Sequence, residues 1–113
     1  MDKDQVYLLE IEEFCQTIAR FTADVTYDAF LADEKLQLAL VKLIENIGEA
    51  ARKLSERAQQ QFVSVDWPKA IAMRNRLVHD YMSIDLEIVY DVAVHEVPTL
   101  RAALKQGPLG KNQ

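Results

Sequence analysis

One segment gathers most of the side chains in this chain that could do acid–base or phosphate chemistry. From Trp67 to Tyr81 it reads W-P-K-A-I-A-M-R-N-R-L-V-H-D-Y, and it brings Arg74, Asn75, Arg76, His79 and Tyr81 close together. Histidine titrates near neutrality and can give or take a proton, while an arginine fork can hold a phosphate. That pair of abilities is what phosphodiester cleavage requires when no metal takes part. On a helix Asn75 and His79 stand about 40° apart, so the amide could orient the imidazole, and Arg74 lies about 140° from His79, an arc a long side chain covers. The same residues also fit a plainer arrangement, with Arg74 in a salt bridge and His79 closing the last turn, where the helix dipole favours a cation. R-x4-H spacing alone does not choose between them.

These side chains need a helix to hold them. Asp66 can cap one, and Pro68 in its first turn sacrifices no intrahelical bond, so the third helix of the chain is expected over Trp67 to His79. Trp67, Ala70, Ile71, Arg74, Leu77, Val78 and Tyr81 would share one face, which puts Arg74 in the middle of an apolar stripe. A guanidinium there must find a carboxylate, lie on an aromatic ring, or open into a polar cleft or interface. Glu45 and Glu49 are the candidate partners, and spacing does not separate them.

The other helices follow from periodicity. A first helix, Asp4 to about Phe21, carries Leu8, Ile11, Phe14, Cys15 and Ile18 on one side, with Cys15 acting as a small hydrophobe. After a connector in which Asp28 or Asp33 can cap, a second helix is expected from about Asp33 to Arg57. Its stripe is Leu36, Leu40, Leu43, Ile47, Ala50 and Leu54, at nearly heptad spacing. Leu38, Val41 and Gly48 share its other side with Glu45, Glu49 and Arg52. That side either meets another chain or is a solvated face, and a close backbone approach would give Gly48 a purpose. The run A-Q-Q-Q-F reads as a polar connector anchored by Phe62. A last helix starts near Ser83 or Asp85 and carries Leu86, Val89, Val92, Ala93, Val97, Leu100 and Leu104, with Pro98 expected to kink or interrupt it by crowding the carbonyl of Val94. His95 falls on its polar side, and Tyr7, Tyr27 and Tyr90 read as packing or interface residues. No strand alternation and no repeat occurs, so the class is all-α, a four- to five-helix up-and-down bundle.

Size and charge narrow the function. A chain of 113 residues fits one domain, expected over residues 1–106, with a loose tail at 107–113 where Gly107, Pro108 and Gly110 cluster. A formal charge of −5 excludes a wide basic surface that coats nucleic acid and leaves room only for a small, locally basic site. A single cysteine allows no internal disulfide, zinc cluster or CxxC pair, which suits a reducing compartment. No metal and no cofactor are expected. With neither a signal-peptide pattern nor a membrane-length apolar run, the chain reads as cytoplasmic and not membrane-bound.

The segment R-N-R-L-V-H-D-Y resembles the R-x4-6-H-x-Y motif of the HepT-like toxins, a HEPN-domain ribonuclease family. I-E-N-I-G-E-A-A-R-K-L at 44–54 and the W-x3-I-x2-M-R-N that leads into the motif are similar to that family's pattern as well, in the same order. The resemblance covers roughly residues 4–104. It implies a HEPN-like helical bundle that forms a homodimer, with the two motifs meeting in a composite cleft. It also implies a metal-independent RNA endonuclease, the toxin of a type VII-like toxin–antitoxin pair, acting on RNA such as tRNA or mRNA. Arg74 and His79 match its catalytic positions and Asn75 supports them, with Arg76 as a further cation. Tyr81 matches the tyrosine that a partner minimal nucleotidyltransferase antitoxin modifies with AMP. Asp80 fills the free position of the motif, where its charge opposes RNA phosphate unless it pairs with Arg76. The alternatives are a non-catalytic nucleotide-binding or scaffold subunit that pairs with a nucleotidyltransferase, and a structural dimer with no chemistry.

Overall fold

The computed structural model describes residues 2–78 and 83–107. Helix α1 (Lys3–Thr22) opens on a reciprocal cap in which the Asp2 carboxylate accepts from the Gln5 amide and the Gln5 side chain accepts from the Asp2 amide. Its buried residues, Ile11, Cys15 and Ile18, belong to the expected stripe. Burial pushes the Cys15 thiol up to about 12, so this sulfur is packing material and not a nucleophile.

The connector that follows contains a short helix, α2 (Tyr27–Leu31), capped by the Thr26 hydroxyl. It forms because Phe30 can bury completely there, against Tyr90 with ring centroids 5.3 Å apart. Tyr90 also donates from its hydroxyl to the Val25 carbonyl at 2.6 Å, which ties this connector to the far end of the chain. Packing is thus the role of Tyr27 and Tyr90, whose rings meet edge to face.

Helix α3 (Glu34–Lys53) is capped by Asp33, which accepts from the Leu36 amide at 3.0 Å. It lies at the centre of the bundle, packed on α1 and on α5, and buries Leu40, Ile44, Ile47, Gly48, Ala50 and Ala51. The expected run to Arg57 is wrong. Leu54 turns to extended backbone and Ser55 begins a new helix, α4 (Glu56–Gln61), its hydroxyl accepting from the Ala58 amide. Asp4 of α1 fixes the break by accepting from both the Ser55 amide (2.9 Å) and its hydroxyl (2.7 Å). A serine supplies the cap a new helix needs, and the α1 carboxylate holds it in place. The glutamine run is therefore helical. It is tied down by Gln59, whose side chain donates to the Ala51 carbonyl and whose own carbonyl accepts from the Trp67 indole at 2.8 Å.

Helix α5 (Trp67–Leu77) starts as expected, with Asp66 as cap and Pro68 in the first turn, but it ends two residues early. Val78 is extended and bridges Ile84, and the Asp85 amide donates to the Leu77 carbonyl at 2.7 Å. The last rod starts at Asp85 as α6 (Leu86–Asp91), passes through a π-helical turn (Val92–Glu96) and continues as α7 (Val97–Lys105). Pro98 interrupts the α-ladder here as anticipated. Its missing N–H and bulky ring are absorbed by widening the preceding turn to i→i−5 bonding, while the backbone stays helical on both sides. The all-α bundle is the observed class, and among the described residues no strand forms. No helix among them is long and apolar enough to cross a membrane. Of the expected tail at 107–113 only Gly107 is described, its amide donating to the Leu104 carbonyl at 3.1 Å; residues 108–113 lie outside the described residues.

Candidate functional site

Helix α5 is the element that carries the R-N-R segment, and its buried side decides where each arginine goes. The residues it buries are Trp67, Ala70, Met73 and Leu77. This face is rotated from the expected one. Met73 takes the core position, while Ile71 is only half-buried and the Arg74 side chain is 53% exposed. Arg74 therefore sits at the edge of the apolar stripe, one residue past the core, and not within it. Two residues on, Arg76 points to nearly the opposite flank, since a helix turns about 100° per residue.

On the Arg74 flank, α5 meets α3. Gly48 makes the approach possible, because a Cβ there would lie 3.1 Å from the Ile71 carbonyl oxygen and 3.5 Å from that of Ala70. The close backbone approach anticipated at Gly48 exists, and the partner backbone belongs to the same chain. Beside it runs an open groove of about 400 Å³ lined by Glu45, Gly48, Glu49, Arg52, Ile71, Arg74 and Asn75. Arg74 donates through Nε to Glu45 Oε2 at 3.2 Å, which resolves its partner as Glu45. The other oxygen of Glu45 accepts from Lys42 Nζ at 3.2 Å. Glu49 is held by Arg52, which donates from Nε and a terminal nitrogen at 3.4 and 3.0 Å. These bonds and the Arg52 charge lower the Glu49 carboxyl below the usual range, and the same bonds raise Arg52. The groove therefore contains two carboxylates, each already matched to a cation. Asn75 lines it as an exposed amide.

On the other flank, Arg76 donates from a terminal nitrogen to Glu96 Oε1 at the end of the π-helical turn, and Lys69 Nζ lies 3.7 Å from the same oxygen. The Glu96 side chain is only 16% exposed, so this contact is partly desolvated and joins α5 to the last rod. Below it is a smaller cleft of about 270 Å³ with an apolar floor that includes Met73 and Leu100 and with His95 on its rim. His95 is exposed as expected, with Nδ1 2.9 Å from Asp91 Oδ1.

The structure thus brings Arg74 and Asn75 into one groove and turns Arg76 away from it. His79, Asp80 and Tyr81 lie outside the described residues. Sequence reasoning missed Glu96, because no spacing relates it to α5. It also missed Lys42, which the i,i+3 spacing to Glu45 could have revealed. Among the described residues no group of His, Cys, Asp and Glu is arranged to hold a metal ion.

The model of a family described as ribonuclease HepT-like matches residues 11–106. A Methanocaldococcus jannaschii protein named as a candidate RNase is 36% identical over 94 residues, covering 83% of this chain and 78% of its own length. A Thermococcus cleftensis protein with the name ribonuclease HepT, also at candidate level, is 27% identical over 88% of this chain and 91% of its own. A Caldanaerobacter subterraneus candidate RNase is 26% identical over 94% and 95% of the two chains. No solved structure matches.

Proposed function

Because the chain belongs to the HepT-like ribonuclease family, we propose that it is a metal-independent RNA endonuclease in which Arg74 and His79 do the chemistry. What supports the reading is Arg74, beside Asn75 in an open groove on a helix whose sequence leads directly into His79. The formal charge of −5 fits a small footprint on RNA, a single-stranded end or loop in preference to a long duplex.

In the reaction a ribose 2′-oxygen attacks the adjacent phosphorus and the bond from phosphorus to the 5′-oxygen breaks. One proton leaves the 2′-hydroxyl and one reaches the departing 5′-oxygen; His79 serves one of these transfers, as general base or general acid, and solvent water the other. Arg74 stabilises the negative charge that builds on the phosphoryl oxygens. The products are a 2′,3′-cyclic phosphate end and a 5′-hydroxyl end. Two protomers would face each other with their motifs in a shared cleft, as the family resemblance implies.

The proposed regulation is that of a toxin held by a nucleotidyltransferase antitoxin. AMP added to the Tyr81 hydroxyl would put negative charge and bulk where an RNA phosphate must sit, and so repel substrate. Purified protein is expected to cleave RNA in the presence of a chelator and leave cyclic phosphate ends, with the His79→Ala variant folded and inactive. Equal cleavage by that variant would refute the assignment. After co-expression with the transferase the intact mass should rise by AMP units, and only while Tyr81 is present; an unchanged mass would refute the regulatory half.

A further inference from the structure

We infer that Glu45 is a positioning residue for Arg74, holding the guanidinium by its inner nitrogen so that the outer pair of N–H groups is presented to an RNA phosphate in the groove. The inference rests on the nuclease reading above and concerns a residue outside the motif.

A guanidinium offers Nε on its inner edge and two terminal nitrogens on its outer edge, and the outer pair matches the spacing of two phosphate oxygens. Glu45 engages Nε at 3.2 Å, and among the described residues the terminal nitrogens of Arg74 have no partner. A carboxylate that merely neutralised this cation would gain more from the two-nitrogen grip that Arg52 makes on Glu49, one turn along the same helix. Arg76 shows the contrast, because there a terminal nitrogen is already committed to the poorly exposed Glu96. Arg74 is thus the arginine left in a phosphate-ready form, and Arg76 is a strut between α5 and the last rod.

Glu45 has a second cation beside it on its own helix. Its second oxygen accepts from Lys42 at 3.2 Å. Its separation from Arg74 is set by the contact of α3 and α5 at Gly48, three residues further along α3. The chain Lys42, Glu45, Arg74 therefore runs from a rigid central helix to the groove.

This makes an unusual prediction about sign. Removing a negative charge from an RNA groove should by simple electrostatics tighten RNA binding. Losing the hold on Arg74 should slow the chemical step, since a misplacement of about 1 Å at a reacting centre costs up to ~100-fold. For Glu45→Ala the expected result is a KM for RNA that is unchanged or lower, together with a kcat lower by about 10- to 100-fold. Glu45→Gln keeps an acceptor oxygen for Nε and should recover most of kcat. In an Arg74→Ala background, Glu45→Ala should cost nothing further in kcat, because the two residues act as one unit.

The test is steady-state cleavage of one single-stranded RNA by the full chain and these four variants, with thermal unfolding recorded for each. A rise in kcat/KM on Glu45→Ala would mean that Glu45 competes with phosphate and would overturn the inference. So would a kcat loss that Glu45→Gln does not restore, or one that persists in the Arg74→Ala background. If Arg74→Ala itself cleaves like wild type, the nuclease assignment of Arg74 fails first. If Arg74→Ala is impaired and Glu45→Ala is not, only the positioning role fails.

Discussion

Gly48 gives a sharp test of how the groove is built. A Cβ at this position would lie 3.1 Å from the Ile71 carbonyl oxygen, a few tenths of an ångström inside ordinary contact, and that oxygen belongs to the backbone of a packed helix. Gly48→Ala sets this compression against the roughly 1 kcal/mol that alanine gains over glycine inside a helix, so its net effect should stay within about 1 kcal/mol. Gly48→Val keeps less of that gain and adds two carbons beyond the Cβ, pushing α3 and α5 apart, and overpacking of this kind costs about 1–3 kcal/mol. Taking about 2 kcal/mol with a urea m-value of about 1.5 kcal/mol/M, the midpoint of urea unfolding should fall by about 1.3 M. The thermal midpoint should fall by about 8 °C. Circular dichroism at 222 nm at fixed protein concentration reads both. A Gly48→Val protein that unfolds at the wild-type midpoint would refute the packing of α5 across Gly48. A loss that vanishes on raising the protein concentration would place the contact between chains instead.

Other expectations concern the elements around the site. Ser55→Ala should cost about 1 kcal/mol, measured by urea unfolding, because it removes the cap of α4 and one of the two hydrogen bonds to Asp4. The Asp4 carboxyl is lowered from its ordinary value by the Ser55 amide and hydroxyl. Its contribution should be present above the unfolded value of 3.8 and fade as pH falls below it, so wild type and Asp4→Asn should converge in stability on acidification. Cys15, raised by burial to about 12, should resist alkylation at pH 8 in the native protein and react only on unfolding. Its raised value means a contribution that is full below the unfolded value of 9.0 and is lost as pH rises towards 12. Rapid labelling of the native thiol would contradict the burial.

Much of the bundle was legible because it rests on local rules. The stripe Ile11, Cys15, Ile18, the cap at Asp33 and the Asp66-Trp67-Pro68 start of α5 are each set by neighbours within a few residues. The failures share a different cause. The break at Ser55 is held by Asp4, fifty-one positions away, and α2 by Tyr90, so the local caps at Ser55 and Thr26 do not by themselves reveal that a helix starts there. The buried face of the third helix lies one residue from the expected one because Arg74 and Met73 are neighbours at its edge, and Met73 is buried beside Leu100 of the last rod while Arg74 faces the groove with α3. The arginines illustrate the same limit at the site. Spacing alone gave Arg74 and Arg76 equal claims on a phosphate, whereas Glu45 and Glu96, from two other helices, give them different surroundings.

The most direct measurement is single-turnover RNA cleavage by Arg74→Ala and Arg76→Ala side by side, each with its unfolding midpoint recorded. The expected result is a loss of about 100-fold or more for Arg74→Ala with stability nearly unchanged. Arg76→Ala should be less stable, having left Glu96 without its guanidinium, yet still cleave well below its unfolding temperature. Full cleavage by Arg74→Ala, with activity lost only on removal of Arg76, would contradict the account.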